Sequence, residues 1–297
     1  MRRFAIFICL LICTYAQLLG QSGIAHPVEV DYPINLKKVK LYGGIGYATG
    51  MLVLSQAWYA ENGLEHFKFF NDNAEWLQVD KLGHTYGTYH LSRINYELLR
   101  RTELSDNKAL LWSSVLSSAL FLPIEILDGF SPDYGFSYGD IIANAAGSGM
   151  FYFQQKAWNE QRIKFKFSFQ PSSLAELRPE TLGSNFPERL LKDYNGQSYW
   201  LSFDIHAFAK ESKWPKWINL ALGYGAHQMI FARNRENEAA GFNNYRQYYL
   251  GLDFDLSHIQ TSSRFLKTVL FLTDFIRLPA PTLQLSQGKV TGHILYF

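Results

Sequence analysis

The chain has 297 residues, of which 18% are charged and 16% aromatic, and its formal net charge is +2. This length allows one large domain or two small ones, and the balanced charge argues against a nucleic-acid-binding surface, which needs an excess of Lys and Arg. Both cysteines, Cys9 and Cys13, lie near the N-terminus. The rest of the chain therefore has no thiol for a disulfide, a nucleophile or a metal site.

The N-terminus has the three parts of a secretory signal peptide in the expected order. Arg2 and Arg3 precede an apolar run from Phe4 to Ile12. The small residues Thr14 and Ala16 then stand at positions −3 and −1 before a cleavage site. We therefore predict export to the bacterial cell envelope, with the protein in the periplasm or associated with the outer membrane.

Cleavage is predicted to leave a mature N-terminus near Gln17 or Gln21, so residues 1–20 are assigned to the signal peptide and residues 21–40 to a polar linker. The alternatives are an uncleaved membrane anchor and lipidation at Cys13. The residue before Cys13 is not the small one typical of a lipoprotein cysteine.

Four helix-like segments are predicted next, over residues 41–160. The first, Leu41–Ala60, is uncharged and long enough to cross a bilayer, so it is expected to be the most hydrophobic element. The other three are predicted to begin near Glu75, Ala109 and Tyr138, and Ser137 could cap the last of them. Their short or moderate connections are typical of a helical bundle.

The pattern changes near Arg162, and residues 161–297 are predicted to be β-rich. Lys164 to Phe169 alternates at a period of two, which indicates a strand. Further strands are predicted at Trp200–Ile205, Ile218–Ala226, Tyr248–Leu256 and Val290–Phe297, and one helix at Ser263–Leu278. The predicted fold class is α+β: an N-terminal four-helix, membrane-type bundle followed by a β-rich antiparallel portion with one further helix.

Polar residues at helical spacing interrupt the apolar helices in three pairs. These pairs are Asp80 and His84, Glu125 and Asp128, and Asp140 and Asn144. Such spacings place both members of a pair on one helix face. Ionisable groups among apolar helices are costly unless they pair or serve a function, so we predict that these groups come together. The candidate polar cluster is Asp80, Lys81, His84, Glu125, Asp128, Ser137, Asp140 and Asn144.

This cluster has two interpretations. His84 with the carboxylates would suit a divalent cation, or a general base oriented by Asp80 or Glu125. Alternatively, Lys81 neutralises a carboxylate within a structural network or a ligand-binding site. We favour the second interpretation, because the sequence has no defined metal, nucleophile or phosphate motif. No metal ligand, cofactor or catalytic residue is assigned, and the prediction leans away from an enzyme.

The motifs resemble those of a known family. Asp80-Lys81-Leu82-Gly83-His84, then Glu125, then Ser137-Tyr138-Gly139-Asp140 and Ala143-Asn144-Ala145-Ala146-Gly147, are similar to the YfiM-type predicted periplasmic lipoproteins, whose function is unknown. The order is also similar to that of VanZ-like membrane proteins, although Asp128 stands where those commonly have Gln. The resemblance covers about Leu41 to Trp158, and it implies a helical architecture and an envelope location.

These observations predict an uncharacterised, membrane-associated envelope protein with a buried polar or ligand-binding cluster among its helices. The alternative is an envelope hydrolase that acts on lipid-linked or cell-wall substrates through His84 and nearby carboxylates. The expected partner is membrane lipid or another envelope protein. Neither nucleic acid nor a nucleotide cofactor is expected.

Overall fold

A computed structural model describes residues 34–58, 63–132 and 134–297. The predicted signal peptide and most of the predicted linker lie outside these residues. The chain divides into two compact units, which are described separately. The helical unit comprises the described residues up to Asp72, Gly87–Ala157 and Thr261–Thr268. The sheet unit comprises Asn73–Tyr86, Trp158–Gln260 and Val269–Phe297.

Four long helices lie close to their predicted positions. They are α1 (Leu36–Trp58), α2 (Val79–Leu99), α3 (Asp106–Gly129) and α4 (Tyr138–Trp158). A short 3-10 turn, Glu75–Gln78, precedes α2. Helix α3 contains Pro123 and continues past it to Gly129, so this proline does not end the helix.

The expectation that the first helix would be the most hydrophobic element is wrong. Among the described helices, α3 is the one whose length and composition would allow it to cross a membrane. Helix α1 is less apolar because lysines open it and glycines and tyrosines interrupt its aliphatic residues.

Side-chain contacts join the helices of the helical unit. Tyr47 of α1 donates a hydrogen bond to the Leu120 carbonyl of α3 at 2.8 Å. Asn95 of α2 donates to Ser117 of α3 at 3.0 Å. The ring of Tyr89 on α2 packs edge-on against Phe151 of α4, which is buried. These contacts link α1 to α3, α2 to α3 and α2 to α4, whereas the predicted four-helix bundle stays a prediction.

Six strands of the sheet unit form one antiparallel sheet in chain order. They are β3 (Ile163–Phe169), β4 (Gln197–Phe203), β5 (Ile218–His227), β6 (Tyr245–Phe254), β7 (Ala280–Ser286) and β8 (Lys289–Tyr296). A two-residue parallel pair, β1 (Phe69–Phe70) and β2 (Phe136–Ser137), belongs to the helical unit. The prediction of a mixed fold with an antiparallel sheet in the C-terminal part is confirmed.

Short helices occupy the loops of the sheet. They are α5 (Pro179–Leu182), α6 (Phe186–Lys192), α7 (Ile205–Phe208), α8 (Asn234–Ala239) and α9 (Arg264–Thr273). Helix α9 is the further helix predicted at Ser263–Leu278, but it ends five residues earlier.

The sequence did not predict β7. Its two prolines flank the strand start, and only Leu283 and Leu285 mark its apolar face. The turn to β8 uses Gln287 and Gly288, both with positive φ, as two-residue hairpins require. The turn therefore sets the β7–β8 pairing more clearly than strand propensity does.

The sheet curves strongly around its inner face. Lys166 on β3 contacts Asp253 on β6, with 2.6 Å between Nζ and Oδ2, although β4 and β5 lie between these strands. On a flat sheet, three strand spacings amount to about 14 Å. Gly223 leaves room for the buried Trp200 ring on this face, because a Cβ there would lie 2.5 Å from it. The inner face is thus a packed interior.

Candidate functional site

The eight predicted residues divide between the two units. Asp80, Lys81 and His84 belong to the sheet unit, and the other five, Glu125, Asp128, Ser137, Asp140 and Asn144, belong to the helical unit. The prediction that all eight form one cluster stays a prediction.

Asp80 is the centre of the first group, in the first turn of α2. Tyr194 donates a hydrogen bond to its Oδ1 at 2.8 Å, and Lys81 Nζ lies 3.2 Å from its Oδ2. His84 Nε2 lies 3.9 Å from Oδ1, one helical turn later. The predicted i,i+4 pairing of Asp80 and His84 is therefore present.

The electrostatics of this group favour an ionised Asp80. Burial alone would raise the pKa of this carboxyl, but the charges of His84 and Lys81 and the hydrogen bond from Tyr194 outweigh it and hold the pKa below its ordinary value. Asp80 at neutral pH is therefore a hydrogen-bond acceptor and not a proton donor.

Tyr199 of β4 forms the wall beside this group. A Cβ on Gly83 would lie 3.0 Å from the Tyr199 hydroxyl, so a residue without a side chain allows the close approach. Burial, with Tyr86 and Asp80 nearby, raises the pKa of Tyr199 well above its ordinary value. Its hydroxyl donates to Gln197 at 3.0 Å, so the protonated form is the one held in place.

Glu125 and Asn144 are the centre of the second group, on α3 and α4. Glu125 is completely buried, and its Oε1 accepts a hydrogen bond from Asn144 Nδ2 at 3.2 Å. Two turns earlier on α3 and one turn later on α4, the Ser118 and Ser148 hydroxyl oxygens lie 2.6 Å apart. We call these four residues the polar seam, because they join α3 to α4 by side-chain hydrogen bonds.

Ser137 caps the N-terminus of α4, as predicted from its position in the sequence. Its Oγ accepts a hydrogen bond from the Asp140 backbone N–H at 3.1 Å, the bond of a helix N-cap, and donates to Asp72 at 2.5 Å. Asp140 is buried in the first helical turn, where the helix dipole favours a negative charge. Asp128 lies partly buried beside the C-terminal residue of α3.

Sequence reasoning missed a second set of buried polar residues, inside the sheet. Lys164 contacts Asp255 at 2.8 Å and Asp274 at 2.9 Å, and Lys166 contacts Asp253. The signal that could have found them is the matched spacing of Lys164-Phe165-Lys166 and Asp253-Phe254-Asp255. Each triplet puts two charges of one sign on one strand face.

Arg277 completes this set, which we call the sheet-interior ion cluster: Lys164, Lys166, Arg277, Asp253, Asp255 and Asp274. Its guanidinium carbon lies 3.8 Å from the centre of a Trp200 ring. Burial lowers the pKa of Arg277 to about 10, against the opposing effects of Asp253 and Tyr296. Three cations face three carboxylates, so the cluster is electrically balanced at neutral pH.

A cation could be held at one edge of this cluster. Asp204, Asp255 and His258 each place one ligand atom within 4.8 Å of the others. Lys164 Nζ already neutralises Asp255, whose pKa is lowered: burial opposes ionisation, but the charge of Lys164 outweighs burial. Asp204 caps α7 by accepting from the Ala207 N–H at 2.9 Å. These contacts explain the carboxylates without a metal.

Residues 68–156 match one family model, described as predicted periplasmic lipoprotein (DUF2279). The match covers less than half of the chain, so it shows what this segment is similar to. The match contains all eight predicted site residues, and it confirms the resemblance to the YfiM-type family and the prediction of an exported envelope protein. It does not confirm the similarity to VanZ-like proteins. No curated protein and no solved structure matches the chain.

Proposed function

We propose that this envelope protein is membrane-associated, and that its helical unit is a four-helix bundle with apolar side chains toward lipid and the polar seam inside. The observation that carries the proposal is the burial pattern of α3.

Helix α3 has its apolar residues on the exposed side and its polar residues on the buried side. The exposed residues are Leu111, Trp112, Val115, Leu116, Leu122 and Ile126, and the buried polar ones are Ser113, Ser114, Ser117 and Glu125. A helix of a water-soluble protein has the opposite distribution. Lipid-exposed helices use small and polar residues where they meet each other, because lipid itself solvates the aliphatic side chains.

The length and surroundings of α3 agree with this distribution. The helix has 24 residues, and only 28% of its most apolar window is buried. A core helix of equal hydropathy would have most of that window covered. Helix α3 therefore presents a long apolar surface that water would disfavour.

Helix α4 repeats the distribution. Ile142 and Phe153 are each 70% exposed, whereas Asp140, Asn144 and Ser148 are buried. The contacts of α1 and α2 with α3 and α4 support a bundle of four helices. In this bundle, the polar seam is proposed to hold the helices together and to leave a polar site for a ligand.

The alternative of a hydrolase has no support from the family match, whose description names no activity. Its proposed base, His84, lies beside an Asp80 that Lys81 and Tyr194 also engage. These additional partners of Asp80 lead us to favour a structural ion pair at this position.

Carbonate extraction of membranes that contain the full chain tests the proposal. The protein should stay in the membrane pellet, and Leu116→Lys should move a large part of it to the supernatant or abolish accumulation. A lysine at the centre of a membrane helix costs about 2.5–3.5 kcal/mol. Leu177→Lys is the matched control, because Leu177 is exposed and lies in the sheet unit. Release of the unmodified protein by carbonate, or equal behaviour of the two variants, contradicts the proposal.

A further inference from the structure

The outer face of strands β5 to β8 is apolar, although the inner face of the same strands is polar. On β6 the outward residues Tyr248 and Leu250 are 49% and 43% exposed, whereas their inward neighbours Tyr249 and Asp253 are buried. On β7, Leu283 and Leu285 point outward and Thr282 points inward. The sheet unit therefore has an exposed apolar face around a buried charged interior.

A shallow groove of about 590 Å³ runs over this outer face. Its walls are mostly aliphatic, with Leu220, Leu250, Leu252, Leu283 and Ile294, and two polar residues, Thr282 and His293, also line it. Ile294 is 86% exposed, although it is a large aliphatic residue on a strand. A soluble monomer rarely leaves such a continuous aliphatic surface in water.

Aromatic residues border this face at both ends of the strands. Trp217 and Phe254 stack at one end, with ring centres 6.1 Å apart, and Tyr224 and Tyr248 pack at the other, 5.5 Å apart. Ile218 to Tyr224 spans about 20 Å of strand. Membrane-facing strands also carry an apolar band between two aromatic girdles, and about 20 Å of a strand tilted by about 40° would cover part of its height of about 25 Å.

Charged side chains are absent from the outward positions between these aromatic pairs on β5 and β6. Between the two aromatic pairs, the outward positions of β5 and β6 are Leu220, Leu222, Leu250 and Leu252, none of which is charged or polar. Arg246 lies beyond Tyr248, at the end of β6. A protein partner would require polar groups for its hydrogen bonds, about one per 100–200 Å² of interface, and this band offers none from its side chains.

We propose that the outer face of β5–β8 is a lipid-contact surface that receives the acyl chains of a bilayer. Apolar side chains that contact lipid chains no longer order water, so the exposed leucines stabilise the bound state. This inference concerns the sheet unit alone, and it goes beyond the membrane association proposed for the helical unit.

Single cysteines labelled with an environment-sensitive fluorophore test this surface in the full chain. Cys9 and Cys13 are first replaced by Ser, since the chain has no other cysteine. Leu222→Cys, Leu250→Cys and Leu283→Cys report on the outer face, and Leu177→Cys is the exposed control. The protein is reconstituted in phosphatidylethanolamine–phosphatidylglycerol vesicles that contain spin-labelled acyl chains.

Lipid spin labels should quench the three outer-face positions and leave the control unquenched, whereas aqueous iodide should quench only the control. Iodide quenching of the outer-face labels would overturn the inference. Protection from both quenchers would overturn it as well, because a protein partner or a second copy would then cover the face. Val115→Cys on α3 separates the two proposals: lipid quenching there without quenching at Leu250 leaves the helical proposal standing and removes this one.

Discussion

The helical unit and the sheet unit both bury polar groups and expose apolar side chains on part of their surface, but the polar groups that they bury differ. The polar seam of the helical unit consists of Ser, Asn and one Glu joined by hydrogen bonds. The sheet unit encloses three cations and three carboxylates. The difference follows from geometry, because small residues such as Ser allow two helices to approach closely, whereas a curved sheet leaves a space that long side chains fill.

The two interiors should therefore respond differently to the loss of one group. A buried charge without its partner costs more than a buried neutral group without a hydrogen bond. Single substitutions at Lys166, Asn144 and Asp80 test this difference.

Lys166→Met should destabilise the sheet unit by about 3–5 kcal/mol, because it leaves the Asp253 carboxylate buried without its ion-pair partner. The measurement is thermal and denaturant unfolding of the detergent-solubilised full chain, followed by circular dichroism. Lys210→Met, at an exposed lysine, is the control and should change little. The double variant Lys166→Met/Asp253→Leu should recover most of the loss. A single variant as stable as the control would show that the ion pair is not sealed from water.

Asn144→Ala should destabilise the helical unit by about 1–3 kcal/mol, since Glu125 loses a hydrogen-bond donor in a buried place. The backbone carbonyl of Asn144, which accepts from Ser118, is unaffected. The same unfolding measurement applies. Asn107→Ala is the matched control, because the Asn107 side chain bonds Lys156 in an exposed place. A loss as large as that of Lys166→Met would contradict the contrast between the two interiors.

Asp80→Asn should cost about 1 kcal/mol or less at neutral pH, because Asp80 is partly exposed and water screens its partners. The pKa of Asp80 is lowered in the folded chain, so its contribution is present above about pH 4 and disappears as the pH falls through the folded pKa. Unfolding curves of both proteins should converge below that pH. A difference that persists at low pH would mean that shape, and not charge, makes the contribution.

The sequence alone predicted the positions of the four long helices and several local contacts on them. The spacing of Asp80 and His84 predicted a contact that is present, and Ser137 predicted the start of α4. These predictions succeed because helical contacts three and four residues apart are local, as are capping bonds. The contact between Glu125 and Asn144 was expected from their apolar surroundings, where polar groups seek each other.

Which face of each helix or strand is buried could be known only from the tertiary structure. The alternation in Lys164 to Phe169 shows that the strand has two different faces, but it does not show which face is buried. In the structure the lysines are enclosed, since the exposed fractions of Lys164 and Lys166 are 8% and 1%. The same holds for α3, whose apolar face would be assigned to a protein core by its pattern. Burial depends on partners distant in sequence, such as Asp253 for Lys166, and no local pattern contains them.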